Sequence, residues 1–247
     1  MRTPRLAAML AGACLLPAGC TATVDGVAVD PAPAATPSQV RALEMVLPTT
    51  QELSDALGIA PTGLMGQLVE GGADTLLRGV DRSQATPVEC VSTTHRLQQA
   101  VYGASSVQSV ASRSWAAGSV DGPALSGFFG VVQLGSTEEA AAFFATAADD
   151  WARCDGETVV LHRGGPGAGE RSSIADVTVD DRVVSAVVVH EAAQGSGQGT
   201  GTPIQRALGV AGDAIVDVEI SDIAGARSDG ADGAVDVAQI MLGKLTG

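Results

Sequence analysis

Two stretches in the C-terminal half repeat one device, and they constrain the fold more than anything else in the chain. Residues 173–191, SIADVTVDDRVVSAVVVHE, are two β-rich runs broken by Asp180–Asp181. Residues 204–221, IQRALGVAGDAIVDVEIS, repeat that form around Ala211, Gly212 and Asp213. Val, Ile and Thr fit a pleated, half-buried surface, and a short polar break between such runs closes a hairpin. A hairpin joins antiparallel strands, whereas a parallel pair needs a long crossover. Further β-rich runs lie at 106–116, 124–135 and 157–163.

Three helix starts are written as capping boxes, in which a Ser/Thr hydroxyl caps and a Glu three residues on reaches back. They are Thr49 with Glu52, Thr86 with Glu89, and Ser136 with Glu139. The first helix would carry Leu53 and Leu57 on one face and stop at Gly58. The second would start with Pro87 at its first position, run through Cys90, Val91, Thr94, Leu97 and Val101, and end at Gly103. The third would bury Ala140, Phe143, Phe144, Ala147 and Trp151. A last helical pattern covers 234–245. Residues 59–85 are poorly patterned; a further helix there would use Leu64, Leu68, Leu76 and Leu77. Hairpins interleaved with helices imply an α+β domain, an antiparallel sheet with helices packed on it.

The N-terminus is built for export. Arg2 and Arg5 precede an apolar run, Leu6–Leu16, that is too short to span a bilayer, which needs about 20 residues. Ala18 and Gly19 stand before Cys20, the layout of a lipoprotein signal with Cys20 as the acylated residue. Pro17 departs from the Leu usual at that position. Cys14, after Gly12 and Ala13, offers a rival setting, and an ordinary signal-peptidase cut near Ala18 or Ala22 is the other reading. TATVDGVAVDPAPAATPSQ follows, Pro/Ala-rich and without helical period, as a tether holding a domain off a membrane. Expected boundaries are a cleaved signal peptide at 1–19, lipidated Cys20 and tether at 20–44, and a folded domain at 45–247. Two acyl chains on one cysteine make a stable anchor, so the expected location is the outer face of the cytoplasmic membrane.

With Cys14 removed and Cys20 acylated, Cys90 and Cys154 remain. In an oxidising compartment a bridge between them is the default; two separately buried thiols are the alternative. The chain has 28 acidic and 14 basic residues, and loss of Arg2 and Arg5 with the leader makes the net charge of −14 more negative by two. Such a surface repels phosphates, so nucleic acid is not an expected partner.

The lipobox, the tether, TPVEC, DDWARCDG and IQRALGV…DAIVDVEI occur in this order. Together they resemble the PknH-like extracellular sensor domain of mycobacteria and relatives, over roughly residues 45–246. The resemblance implies a twisted antiparallel sheet with packed helices around a cleft that takes a small ligand, on a receptor kinase or on a lipoprotein. It also implies, for many members, a second disulfide; this chain has no cysteine to form one. No kinase motif occurs.

Catalytic signatures are absent. There is no G-x-S-x-G elbow, and GGPGAGE (164–170) and GSGQGTG (195–201) lack the Lys-Ser/Thr ending of a phosphate loop. The acids of DGADGAVD (229–236) lack the spacing of a calcium loop and would begin the last helix. His95, His162 and His190 are far apart in the sequence, so no metal site, cofactor or catalytic residue is expected. The expected function is a non-enzymatic sensor or small-ligand-binding module of the cell envelope. Its partners would be the membrane through its lipid, a small-molecule or lipid ligand, and an envelope protein. An envelope hydrolase with an unfamiliar site, a lipid carrier and a structural envelope protein are the alternatives.

Overall fold

A sheet of antiparallel strand pairs divides the molecule into two apolar layers. The structure is a computed structural model and describes residues 42–60, 62–118, 124–162, 169–192, 201–222 and 232–247. The signal peptide, Cys20 and nearly all of the tether lie outside the described residues, as do most of both glycine-rich segments. In chain order the strands are β1 (Leu64–Met65), β2 (Val69–Gly71), β3 (Ala85–Thr86), β4 (Ser109–Gly118) and β5 (Ala124–Gln133). There follow β6 (Thr158–His162), β7 (Gly169–Val179), β8 (Val183–Ala192), β9 (Pro203–Ala211) and β10 (Ala214–Asp222). Their order across the sheet is β1-β4-β5-β10-β9-β8-β7-β6-β3, with β2 beside β4. Both hairpins read from the sequence form, as β7–β8 and β9–β10.

The helices are α1 (Thr50–Leu57), α2 (Val91–Thr94), α3 (Gln99–Tyr102), α4 (Thr137–Cys154) and α5 (Asp232–Thr246). Strand alternation sends successive side chains to opposite faces. On β10, Ala214, Val216, Val218 and Ile220 pack with α1 and α5, while Ile215 joins the layer under α4. Leu43, just ahead of the expected domain boundary, is buried in the α1/α5 layer. The chain's one lysine, Lys244 in the last turn of α5, donates to the Leu47 carbonyl and to Glu52 on α1.

Two capped helices form as expected. Thr49 and Glu52 make a reciprocal capping box, and Gly58 ends α1 in the left-handed conformation. Ser136 accepts from the Glu139 N–H, but the Glu139 carboxylate goes to the N–H groups of Gly135 and Ser106. The expected helix over 86–102 does not form. Thr86 belongs to β3, residues 88–90 make a 3-10 turn, and only α2 and α3 are helical, separated by His95–Gln98. The break has a tertiary cause. Leu97 takes φ 46°, and its N–H donates to the buried Asp217 carboxylate at 2.8 Å. Its carbonyl accepts from Leu77, whose own carbonyl accepts from Gln99. These bonds exist only if the segment leaves the helix and dips onto the sheet. Nor is there a helix in 59–85 among the described residues: β1, β2 and short 3-10 turns stand there, and Leu64 is exposed.

The dip needs space on the sheet. Gly130 of β5, paired with Asp217 across the strands, provides it. A Cβ there would lie 2.5 Å from Leu97 Cδ1 and 2.8 Å from Cγ. Gly130→Ala is expected to cost about 1–3 kcal/mol by overpacking. In urea unfolding the double variant with Leu97→Ala should lose less than the sum of the singles, because the clash goes with the side chain. Strict additivity would contradict this placement.

Candidate functional site

Inward positions on β9 and β10 place charge inside the α4 layer. Arg206 is fully buried and donates to Asp217 at 2.8 Å, to Glu219 at 3.4 Å and to the Ser92 carbonyl at 3.3 Å. Asp217 also receives the Leu97 N–H and, at 3.3 Å, the Tyr102 hydroxyl. Burial pushes the Asp217 carboxyl above its ordinary range, with Arg206 and the Leu97 N–H offsetting part of this. Burial opposes ionisation of Glu219 too, but Arg206 and Arg96 outweigh it and hold its pKa below the usual value. Arg96 bonds Glu219 at 2.6 Å and lies over the Phe128 ring. The effect is to staple residues 92–102 to the sheet.

Beside this network two histidines meet one carboxylate. Ser172 on β7 and His190 on β8 are cross-strand partners, and Glu170, two residues before Ser172, shares their face. His95 arrives from the break after α2. Glu170 Oε1 lies 3.4 Å from His95 Nε2 and 3.4 Å from His190 Nδ1, and the imidazole centroids are 5.3 Å apart. Thr94 Oγ1 stands 2.8 Å from His95 Nδ1, and Ser172 Oγ 2.7 Å from His190 Nδ1. Burial lowers the His190 pKa, with His95 adding to the effect and Glu170 opposing it. The expectation of no metal-ligating set rested on distance along the chain. Folding removes that premise for His95 and His190, whereas His162 stays on β6.

This constellation is not a hydrolytic triad. A triad sets the nucleophile on one imidazole nitrogen and the acid on the other. Ser172 and Glu170 approach the same nitrogen of His190, and Ser172 is buried. Thr94 and Glu170 do flank His95 on opposite sides, but the Thr94 hydroxyl is 1% exposed and lies within reach of the Cys90 and Val91 carbonyls of its own helix.

A cleft of about 450 Å³ opens on the outer side of α4. One wall is α4, with Glu139, Ala142, Phe143, Thr146, Ala147 and Asp150; the other is Arg82, Val88, Glu89, Ser92, Val101, Ala104 and Ser105. Phe143 is not wholly core: it is half-buried, stacks on Tyr102 at 4.8 Å and faces the cleft. Trp115, Phe144 and Trp151 are buried. Cys90 and Cys154 form a disulfide that ties the wall next to Val88 and Glu89 to the end of α4. A second cavity, about 340 Å³, lies between α1, the start of α5 and the ends of β5, β9 and β10.

Of the residues expected to matter, Cys90 and Cys154 come together and Cys20 lies outside the described residues. The charged cluster was missed. Its signal was present: Arg206, Asp217 and Glu219 interrupt runs whose other residues are nearly all apolar, so they had to point inward on a sheet covered on both faces.

Among the described residues no helix is long and apolar enough to cross a membrane. The structure is similar to the crystal structure of the extracellular domain of PknH from Mycobacterium tuberculosis, with TM-score 0.66 and 19% identity, covering 86% of this chain and 99% of that one. A putative uncharacterized protein from Mycobacterium smegmatis matches at TM-score 0.41 and 8% identity, covering 80% and 97%. Among curated proteins the chain has no match. The model of the PknH-like extracellular domain matches residues 38–244. The chain therefore belongs to the PknH-like extracellular domain family.

Proposed function

We propose that this protein is a lipid-anchored, non-enzymatic sensor module of the cell envelope that binds a small amphipathic molecule in the α4 cleft. The cleft carries the reading. Its volume falls in the range of small-molecule sites, about 300–1,000 Å³, and its lining mixes apolar side chains such as Val88, Val101 and Phe143 with charged and polar ones such as Arg82, Glu89, Glu139 and Asp150. The disulfide holds its two walls in register, so the site is largely formed before a ligand arrives. The rival hydrolase reading has no constellation in its favour, since the hydroxyls beside the histidines are buried. With no crossing helix of its own among the described residues, the module would pass its signal to an envelope partner.

Ala142 is exposed on α4 at the cleft, so Ala142→Trp fills the volume without entering the core. Native mass spectrometry of the chain purified from its host should show a stoichiometric small molecule on the wild type that Ala142→Trp lacks. A bare chain in both would overturn the ligand reading. The anchor is tested separately. Metabolic labelling with a fatty acid should mark the wild type and not Cys20→Ala; an unlabelled wild type, or label retained in that variant, would overturn the anchor at Cys20.

A further inference from the structure

We propose that His95, Glu170 and His190 bind one divalent transition-metal ion of the zinc class, at a site separate from the α4 cleft. One donor atom from each residue can be chosen so that all three lie within 4.8 Å of one another. Zinc bonds of about 2.0–2.2 Å to nitrogen and oxygen, arranged as a tetrahedron, set ligand atoms about 3.3–3.5 Å apart. Both measured separations from Glu170 Oε1, 3.4 Å to His95 Nε2 and 3.4 Å to His190 Nδ1, are edges of that size, and a metal on His190 Nδ1 would displace the Ser172 hydroxyl now 2.7 Å from that nitrogen. The third edge, between the imidazole donors, is bounded by the same 4.8 Å. Two histidines and one carboxylate are a zinc donor set, and three protein ligands leave a fourth position for water. The side chains are 13%, 30% and 25% exposed for His95, Glu170 and His190, so the fourth position has a way to solvent.

Hydrogen bonding points the same way. The Thr94 hydroxyl has one proton, and the Cys90 and Val91 carbonyls, at 3.3 and 3.4 Å, are its acceptors. In the tautomer where His95 Nδ1–H donates to this hydroxyl, the Nε2 lone pair faces Glu170. His95 Nε2 is buried and has no well-formed hydrogen bond. A metal bound here would take that nitrogen and the Glu170 oxygen as two of its ligands. The outer partner that fixes tautomer and ring orientation, here Thr94, is the usual companion of a metal-bound histidine.

The test uses the full chain in detergent, without a polyhistidine tag and stripped with EDTA. Zinc titrated against a chromophoric chelator should show one ion per chain, and cobalt should give the visible bands of a four-coordinate site. His190→Ala and Glu170→Gln should each weaken zinc binding by more than about 10-fold, and Thr94→Val by about 10-fold. His162→Ala should leave it unchanged. Glu170→Gln is isosteric and partly exposed, so it removes a ligand while keeping the fold. The proposal is overturned by an absence of saturable one-to-one binding, or by binding that His190→Ala and Glu170→Gln leave intact.

Discussion

Replacing Asp217 with Ala is expected to lower the unfolding free energy by about 3–5 kcal/mol. The carboxylate is buried and takes three donors, from Arg206, the Leu97 N–H and the Tyr102 hydroxyl. Truncation leaves the Arg206 guanidinium in a dry interior with only Glu219 and the Ser92 carbonyl. It also strands the Leu97 N–H, whose bond compensates a left-handed backbone at a β-branch-free but non-glycine residue. Asp217→Asn keeps an acceptor for Leu97 and loses the charge, so it should fall between wild type and Asp217→Ala. Urea unfolding under non-reducing conditions reads both. A loss below about 1 kcal/mol for Asp217→Ala, at the level of an ordinary net hydrogen bond, would show that the network does not hold the segment down.

Removing the Cys90–Cys154 bridge should cost about 4 kcal/mol in the chain-entropy account, since the loop it closes spans 64 residues. The double variant Cys90→Ala/Cys154→Ala avoids leaving a lone thiol. Both sulfurs lie in the α4 layer beside Trp151, so some packing goes with the bridge. The consequence for function is local. The bridge fastens residues 88–92 to the end of α4, and those residues form one wall of the cleft. Hydrogen exchange should therefore rise over 88–102 more than over β9 and β10, which the disulfide does not touch. Uniform exchange across the sheet would mean that the bridge stabilises the whole fold and does not shape the cleft. Reduction of the wild type should reproduce the double variant.

The two hairpins, α1, α4 and α5 were visible in the sequence because each is determined locally. Thr49, Gly58 and Ser136 satisfy backbone groups within a few residues, and the strand runs carry their own periodicity. The 86–102 segment misled for the converse reason. Its apolar spacing is helical, yet Asp217, some 120 residues away, offers the Leu97 N–H a buried partner. Gly130 leaves the room for it. A long-range bond to a buried carboxylate outweighs one more turn of exposed helix.

The cysteines divide along the same line. Cys90 and Cys154 were paired on the expectation that Cys14 leaves with a leader and Cys20 carries lipid, and the structure joins them. The histidines were not so constrained, and no spacing rule connects His95, Glu170 and His190. Their meeting depends on the β7–β8 register, which sets Ser172 opposite His190 and Glu170 diagonally beside it. It depends equally on the break after α2, which turns His95 towards them. By itself the sequence determined the antiparallel sheet and its principal helices, since those follow from local hydrogen bonding and side-chain period. The broken helix, the buried charges, the cleft and the histidine–glutamate cluster were decided by tertiary structure, because each joins residues whose proximity is created only when the sheet pairs and the α4 layer closes over it.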